Sequence, residues 1–162
     1  MSTDTVPLSR ALWLFPFALT FHNLEEALWL PGWSQQAGAL HPPVGTGEFH
    51  FAVGVVTAAG WWLTWMASRR GGRWLALAAG SWVLMLLNVL LPHVLATVLM
   101  HRYAPGVVTA LMLNLPVNAL LLRRALAEGV LTRRAIAWGA AVVVPTVAAS
   151  LPVLFWVGRQ IQ

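Results

Sequence analysis

Residues 74–100 read WLALAAGSWVLMLLNVLLPHVLATVLM and contain no Asp, Glu, Lys or Arg. A helix of about 20 apolar residues crosses the hydrocarbon core of a bilayer. Inside that core only a helix or a closed barrel satisfies its own backbone hydrogen bonds. This run of 27 residues therefore predicts a transmembrane helix that is tilted, or kinked at Pro92.

Apolar runs of this kind recur along the chain, each bounded by charged or turn-forming residues. The other four runs are residues 11–30, 49–68, 103–122 and 135–158. Hydrophobic residues make up 59% of the chain and charged residues only 9%, whereas soluble domains contain about 25% charged residues. We therefore expect an all-α, polytopic membrane helix bundle of about five transmembrane helices, formed by a single integral membrane domain over residues 1–162.

Arginine is distributed unequally between the two ends of these runs. Of the ten basic residues, eight lie near the N-terminus or in the loops after the second and fourth runs. Arg102 and Arg159 lie at the opposite ends. Because cytoplasmic loops carry an excess of basic residues, the pattern predicts a cytoplasmic N-terminus and an outside C-terminus. We expect a multi-pass protein of a cell inner membrane.

The net charge of +5 and the absence of cysteine restrict the function further. The arginines sit at the ends of apolar runs and form no basic surface stripe, so we expect the lipid bilayer, and no nucleic acid, as a partner. A chain without Cys has no disulfide, thiol nucleophile or Cys-ligated metal. No nucleotide cofactor motif occurs in the sequence.

The first run contains His22-Asn23-Leu24-Glu25-Glu26. A carboxylate in hydrocarbon is costly unless it is paired, protonated or metal-bound, so it marks a functional site by default. On a helix, residues three or four apart share a face, which brings His22 close to both glutamates. With His93 from the third run, the candidate metal ligands are His22, Glu25, Glu26 and His93. Nitrogen and oxygen donors without sulfur fit Zn, Fe or Mn.

Further polar residues lie at similar depths, toward the ends of the runs opposite the arginine-rich loops. This convergence predicts a polar cavity in the outer half of the bundle, with the fifth run as scaffold. We expect the catalytic groups to come from Glu25, Glu48 and Asn88. We expect the substrate-binding groups to be His50, Tyr103 and Asn114. Hydrogen bonding between helices is the alternative role for the asparagines.

The motif His22-Asn23-Leu24-Glu25-Glu26 in a first membrane helix resembles the HXXEE family of integral membrane proteins. Asn88 and His93 in one helix, followed by Tyr103-Ala104-Pro105-Gly106 and Thr109, also resemble that family. The resemblance covers most of the chain. It implies the membrane architecture and a functional site containing His22, Glu25 and Glu26, but no substrate, because the family is largely uncharacterised.

Three functions are compatible with these residues. The first is a metal-dependent enzyme that acts on a lipidic or apolar small molecule, with a spare carboxylate as general base. The second is metal-free acid–base chemistry in the same cavity, as in an isomerase or cyclase. The third is a proton- or ion-coupled transporter or a binding subunit, which the concentration of polar residues in one half of the membrane disfavours unless a homo-oligomer completes the path.

Overall fold

The computed structural model describes residues 7–38 and 41–161. The protein is 84% helical and has no strand in these ranges, which confirms the all-α prediction. The helices are α1 (Leu8–Ala11), α2 (Leu14–Ser34), α3 (Thr46–Arg70), α4 (Gly72–Met100), α5 (Val107–Ala127) and α6 (Arg133–Gln160).

Helices α3 to α6 are each long and apolar enough to cross a membrane. Helix α2 has 21 residues, which is sufficient length, but it carries the polar motif and does not reach the hydropathy of the other four. The protein is therefore a membrane helix bundle with four to five transmembrane helices, as the sequence predicted.

Helix α2 extends beyond residue 30, the predicted end of the first run, passes Pro31 and ends at Ser34. Proline has no N–H, so the carbonyl of Ala27, four residues earlier, loses its helical donor. His50 Nε2 lies 2.9 Å from Ala27 O and supplies a hydrogen bond to that carbonyl. A contact from the neighbouring helix α3 therefore compensates for the proline, and α2 continues.

Helix α5 begins at Val107, four residues later than the predicted start at Tyr103. Gly106 has φ +87°, a left-handed conformation that ends the preceding turn before the helix begins. At its other end α5 continues to Ala127, past the predicted boundary at residue 122, so that Arg123 and Arg124 form part of the last turns.

Helix α4 is kinked next to Pro92, which was one of the two alternatives that the length of its apolar run left open. The backbone leaves the helical conformation at Leu91, with φ −129° and ψ 106°, directly before Pro92. Helix α5 also departs from regular geometry, in a π turn over Ala110–Asn114. Both irregular segments lie next to the polar residues described below, and such segments are frequent at functional sites.

The apolar core fills the half of the bundle that ends in the arginine-rich loops. Its buried members include Phe15, Leu19, Trp82 and Leu121. In this half α4 crosses α6 with almost no side chain between them: a Cβ on Gly80 would lie 2.3 Å from the carbonyl carbon of Gly139. Small residues allow such close backbone approach between membrane helices. The polar residues of the motif lie in the other half of the bundle.

Candidate metal centre

Three of the predicted metal ligands meet between α2 and α4. One ligand atom each of His22, Glu26 and His93 can be chosen so that all three lie within 4.8 Å of one another. Glu26 Oε1 is 3.8 Å from His22 Nε2 and 3.5 Å from His93 Nε2. Both histidines are 1% exposed. These residues form a group that could hold a metal ion.

The contacts of His93 show which of its ring nitrogens carries the proton. Nδ1 lies 2.8 Å from the carbonyl oxygen of Pro105. A carbonyl only accepts hydrogen bonds, so Nδ1 is the donor and Nε2 of the neutral ring carries a lone pair. The kink in α4 lies directly before His93, and the Pro105 carbonyl holds the ring with Nε2 toward Glu26.

His22 is held in the same tautomer by a side chain of α5. Its Nδ1 lies 3.0 Å from Thr109 Oγ1. The Thr109 hydroxyl donates to Glu25 Oε2 at 2.5 Å, so its oxygen accepts from His22 Nδ1–H. Nε2 of His22 therefore also carries a lone pair. Such fixing of the tautomer through the other ring nitrogen is typical of metal-binding histidines.

Asn88 bridges the two imidazoles. Its Nδ2 lies 3.1 Å from His22 Nε2 and 2.9 Å from His93 Nε2. An amide NH₂ has two hydrogens, so it can donate one to each ring nitrogen. This arrangement agrees with lone pairs on both Nε2 atoms and places Asn88, an expected catalytic residue, at the centre of the group.

Glu25, in contrast, lies apart from the other three predicted ligands. Its Oε1 accepts from Tyr103 O–H and, at 3.1 Å, from Gly106 N–H. Its Oε2 accepts from the backbone N–H of Thr109 at 2.8 Å and from that residue's hydroxyl. The carboxylate thus satisfies N–H groups at the first turn of α5, where the helix dipole favours negative charge. Burial and the Glu25 carboxylate raise the pKa of Tyr103, so its phenol remains a donor.

Gly106 packs directly against the two imidazoles. A Cβ at this position would lie 2.5 Å from His93 Cε1 and 2.9 Å from His22 Cε1. The positive φ of Gly106 also disfavours any other residue. Gly106 and Thr109 belong to the stretch that carries the family resemblance, but the sequence alone assigned them no role, because a turn glycine and a helix-capping threonine are common outside functional sites.

A cavity of about 370 Å³ adjoins the group. His22, Glu26, Asn88 and His93 line one side of it. The remaining walls are mostly apolar and come from α2, α3, α4, α6 and the loop residues His41, Ala104 and Pro105. Helix α6, which we expected to be scaffold, provides the wall residues Val144, Val147, Ala148, Leu151 and Phe155.

The other predicted site residues lie away from this cavity. Glu48 Oε1 accepts from Gly45 N at 2.6 Å and its Oε2 pairs with Arg159 at 3.1 Å, which joins the start of α3 to the end of α6. His50 binds the Ala27 carbonyl. Asn114 is fully buried and its side-chain amide has no hydrogen-bond partner among the described residues. Neither these three residues nor Tyr103 line the cavity.

Comparison with known proteins places the chain in a family. The family described as "Protein of unknown function with HXXEE motif" matches residues 13–121, which include all three candidate metal ligands and the segment around Gly106. The chain is 38% identical over 153 residues to "Uncharacterized protein YrkK" of Bacillus subtilis (strain 168), a match that covers 91% of this chain and 95% of that protein. No solved structure matches the chain. The protein therefore belongs to the HXXEE family, whose function is unknown.

Proposed function

We propose that this protein is a membrane enzyme in which His22, Glu26 and His93 hold a divalent metal ion beside an apolar cavity. The observation that carries the proposal is the convergence of two unprotonated Nε2 atoms, of His22 and His93, on Glu26 Oε1 at 3.8 and 3.5 Å. Two imidazoles and a carboxylate form the protein ligand set of many catalytic zinc and non-haem iron sites. Such a set leaves coordination positions open for a substrate.

The ion would act as a Lewis acid on a substrate oxygen or on water. The protein would contribute orientation: Pro105 O and Thr109 Oγ1 hold the two rings with Nε2 toward the cavity. The Asn88 amide, next to both Nε2 atoms, is placed to hydrogen-bond to the polar group of a substrate. The apolar walls favour a lipidic or apolar small molecule and limit access of water.

One observation favours metal-free acid–base catalysis as the second candidate. The Asn88 amide already donates to both Nε2 atoms, so the two imidazoles are hydrogen-bonded without an ion. Glu26 and an imidazole would then exchange protons with the substrate, as in an isomerase or cyclase. A transport path receives less support, because the apolar core fills the arginine-rich half of the bundle.

Bound metal distinguishes these two candidates. We would purify the protein in detergent without chelator, reconstitute it with Zn, Fe or Mn, and measure bound metal by elemental mass spectrometry. The variants are His22→Ala, His93→Ala and Glu26→Gln. His50→Gln is the matched control, because His50 lies on a neighbouring helix outside the group.

We expect near-stoichiometric metal in the wild type and in His50→Gln, and loss of metal in the three ligand variants. Circular dichroism would establish that each variant retains its helices. Wild-type protein that binds none of the three metals would contradict the metalloenzyme and favour acid–base chemistry.

A further inference from the structure

The cavity is open on one side. Among the described residues that line it, two are exposed, Pro92 of α4 and Ala148 of α6, and all the others are buried or half-buried. Half-buried Trp33 and Phe155 and buried Ala104 line the end away from the arginine-rich loops, while buried Leu19 and Met85 line the opposite end. The opening therefore lies sideways, between α4 and α6.

The course of the two helices explains this opening. They pack backbone against backbone where Gly80 meets Gly139, so they are tightly joined in the arginine-rich half. Beyond that crossing, the helical path of α4 is broken at Leu91, and α6 lines the cavity with Val144, Val147 and Leu151. A gap between helices that are joined at one end leads from the cavity to the outside of the bundle.

The opening lies at the depth of the lipid tails. Ala148 is within two residues of the midpoint of α6 (Arg133–Gln160), and Pro92 is six residues from the midpoint of α4 (Gly72–Met100). At about 1.5 Å per residue, both positions are within roughly 9 Å of the helix midpoints. The hydrocarbon core extends about 15 Å to each side of the bilayer centre. A molecule that enters here comes from the membrane interior.

We propose that the cavity takes up, from the bilayer and through this lateral portal between Pro92 and Ala148, an apolar molecule with one polar end. The polar end would meet Asn88 and His93, and the apolar remainder would lie against the valines of α6. A water-soluble compound does not fit an entrance at this depth, and a pure hydrocarbon would offer no hydrogen-bonding group to Glu26, which lines the polar wall of the cavity.

The size of the cavity agrees with this class of ligand. A volume of about 370 Å³ is at the small end of the range for ligand pockets. It accommodates the polar end and the first part of a chain, while the rest of the molecule extends through the portal into the lipid. The portal itself depends only on the described geometry, whereas the reaction at the polar end rests on the proposed function.

The test uses a photoactivatable fatty alcohol, with the reactive group near the hydroxyl, in proteoliposomes that contain chelator. Labelled sites are mapped by peptide mass spectrometry. The portal variant is Ala148→Trp, which places a large side chain on the rim. The matched control is Ala149→Trp, because Ala149 is also exposed on α6 but does not line the cavity.

We expect labelling of interior wall residues such as Ala52, which is fully buried, in the wild type and in Ala149→Trp. In Ala148→Trp this interior labelling is expected to fall to background. Equal interior labelling in both tryptophan variants, or wild-type labelling confined to the outer surface, would overturn the portal.

A competition experiment in the wild type tests the ligand class without any substitution. Unlabelled fatty alcohol is expected to displace the probe, and an alkane of the same length to displace it poorly. Equal displacement would overturn the requirement for a polar end. Because labelling is measured without metal, it is independent of the metal-binding experiment. A protein that binds metal but shows no interior labelling would reject the portal alone. A protein that shows interior labelling but binds no metal would reject only the metalloenzyme.

Discussion

Glu25 and Glu26 are adjacent in the sequence but have different surroundings. Successive residues on a helix point about 100° apart. Glu26 faces the two imidazoles and the cavity, whereas Glu25 accepts hydrogen bonds from Tyr103 and from the first turn of α5. The sequence proposed both as ligands and left open which one faces the cavity. The structure assigns Glu26 to the cavity and Glu25 to the support of His22, through Thr109.

The contact between Tyr103 and Glu25 can be tested directly, because Tyr103 is the single tyrosine in the chain. Burial and the neighbouring carboxylate raise its pKa above the ordinary value of 10.0. We expect phenolate absorbance in wild-type protein to appear at higher pH than in Glu25→Gln, which lacks the negative charge. Alkaline titration followed by ultraviolet difference absorbance measures this shift, and His50→Gln should titrate like the wild type.

The same shift predicts how stability responds to alkaline pH. The folded chain keeps the Tyr103 proton at a pH where the unfolded chain has lost it. The free energy of unfolding should therefore be unaffected by this group at neutral pH and should fall as pH rises past about 10. A phenolate that forms at the same pH in wild type and Glu25→Gln would contradict the contact.

At the scale of helices, the crossing of α4 and α6 depends on two glycines. A Cβ on Gly139 would lie 1.9 Å from the carbonyl oxygen of Ala76, and a Cβ on Gly80 would also collide with the partner backbone. Backbone atoms cannot give way as the end of a flexible side chain can. Because the two helices are in backbone contact at this crossing, they are packed tightly in the arginine-rich half, and the lateral opening lies between them in the other half.

Substitution of Gly139 by Ala should separate the two helices. We expect Gly139→Ala to lower the free energy of unfolding by about 1–3 kcal/mol, the usual cost of overpacking. Gly54→Ala on α3 is the control, because nothing lies within 4 Å of a Cβ there. Gly54→Ala should leave the free energy of unfolding unchanged or raise it by up to about 1 kcal/mol, since alanine favours the helix. Thermal unfolding in detergent measures both, and equal effects would argue against the crossing.

At the scale of the whole molecule, the arginine distribution predicts the orientation in the membrane. Ser68 lies at the arginine-rich end of α3, and His101 follows the opposite end of α4. Because the chain has no Cys, a cysteine introduced at either position is the sole reactive thiol. A membrane-impermeant maleimide added to intact cells should label His101→Cys and spare Ser68→Cys. The reverse pattern would place the N-terminus outside.

The elements of the fold follow from local composition. Runs of about 20 apolar residues dictate membrane helices wherever they occur in a chain, and Pro92 predicted the kink in α4. The predicted ends of the helices were less accurate, because helix ends depend on contacts between elements. Helix α2 passes Pro31 since His50 compensates for the missing donor, and α5 begins late since Gly106 packs on the imidazoles.

The sequence by itself determined which residues are polar inside an apolar chain. It also placed His22, Glu26, Asn88 and His93 at similar depths, because depth follows from counting residues along a helix. The tertiary structure decided which of them meet. That choice depends on helix rotation and on neighbouring segments, which turned Glu25 toward α5, placed Glu48 against Arg159 and brought Thr109 to His22. The lateral opening between α4 and α6 was likewise a tertiary result. It arises from the path of two helices whose residues are 59 positions apart in sequence at the crossing of Gly80 and Gly139, and 56 apart at the rim formed by Pro92 and Ala148.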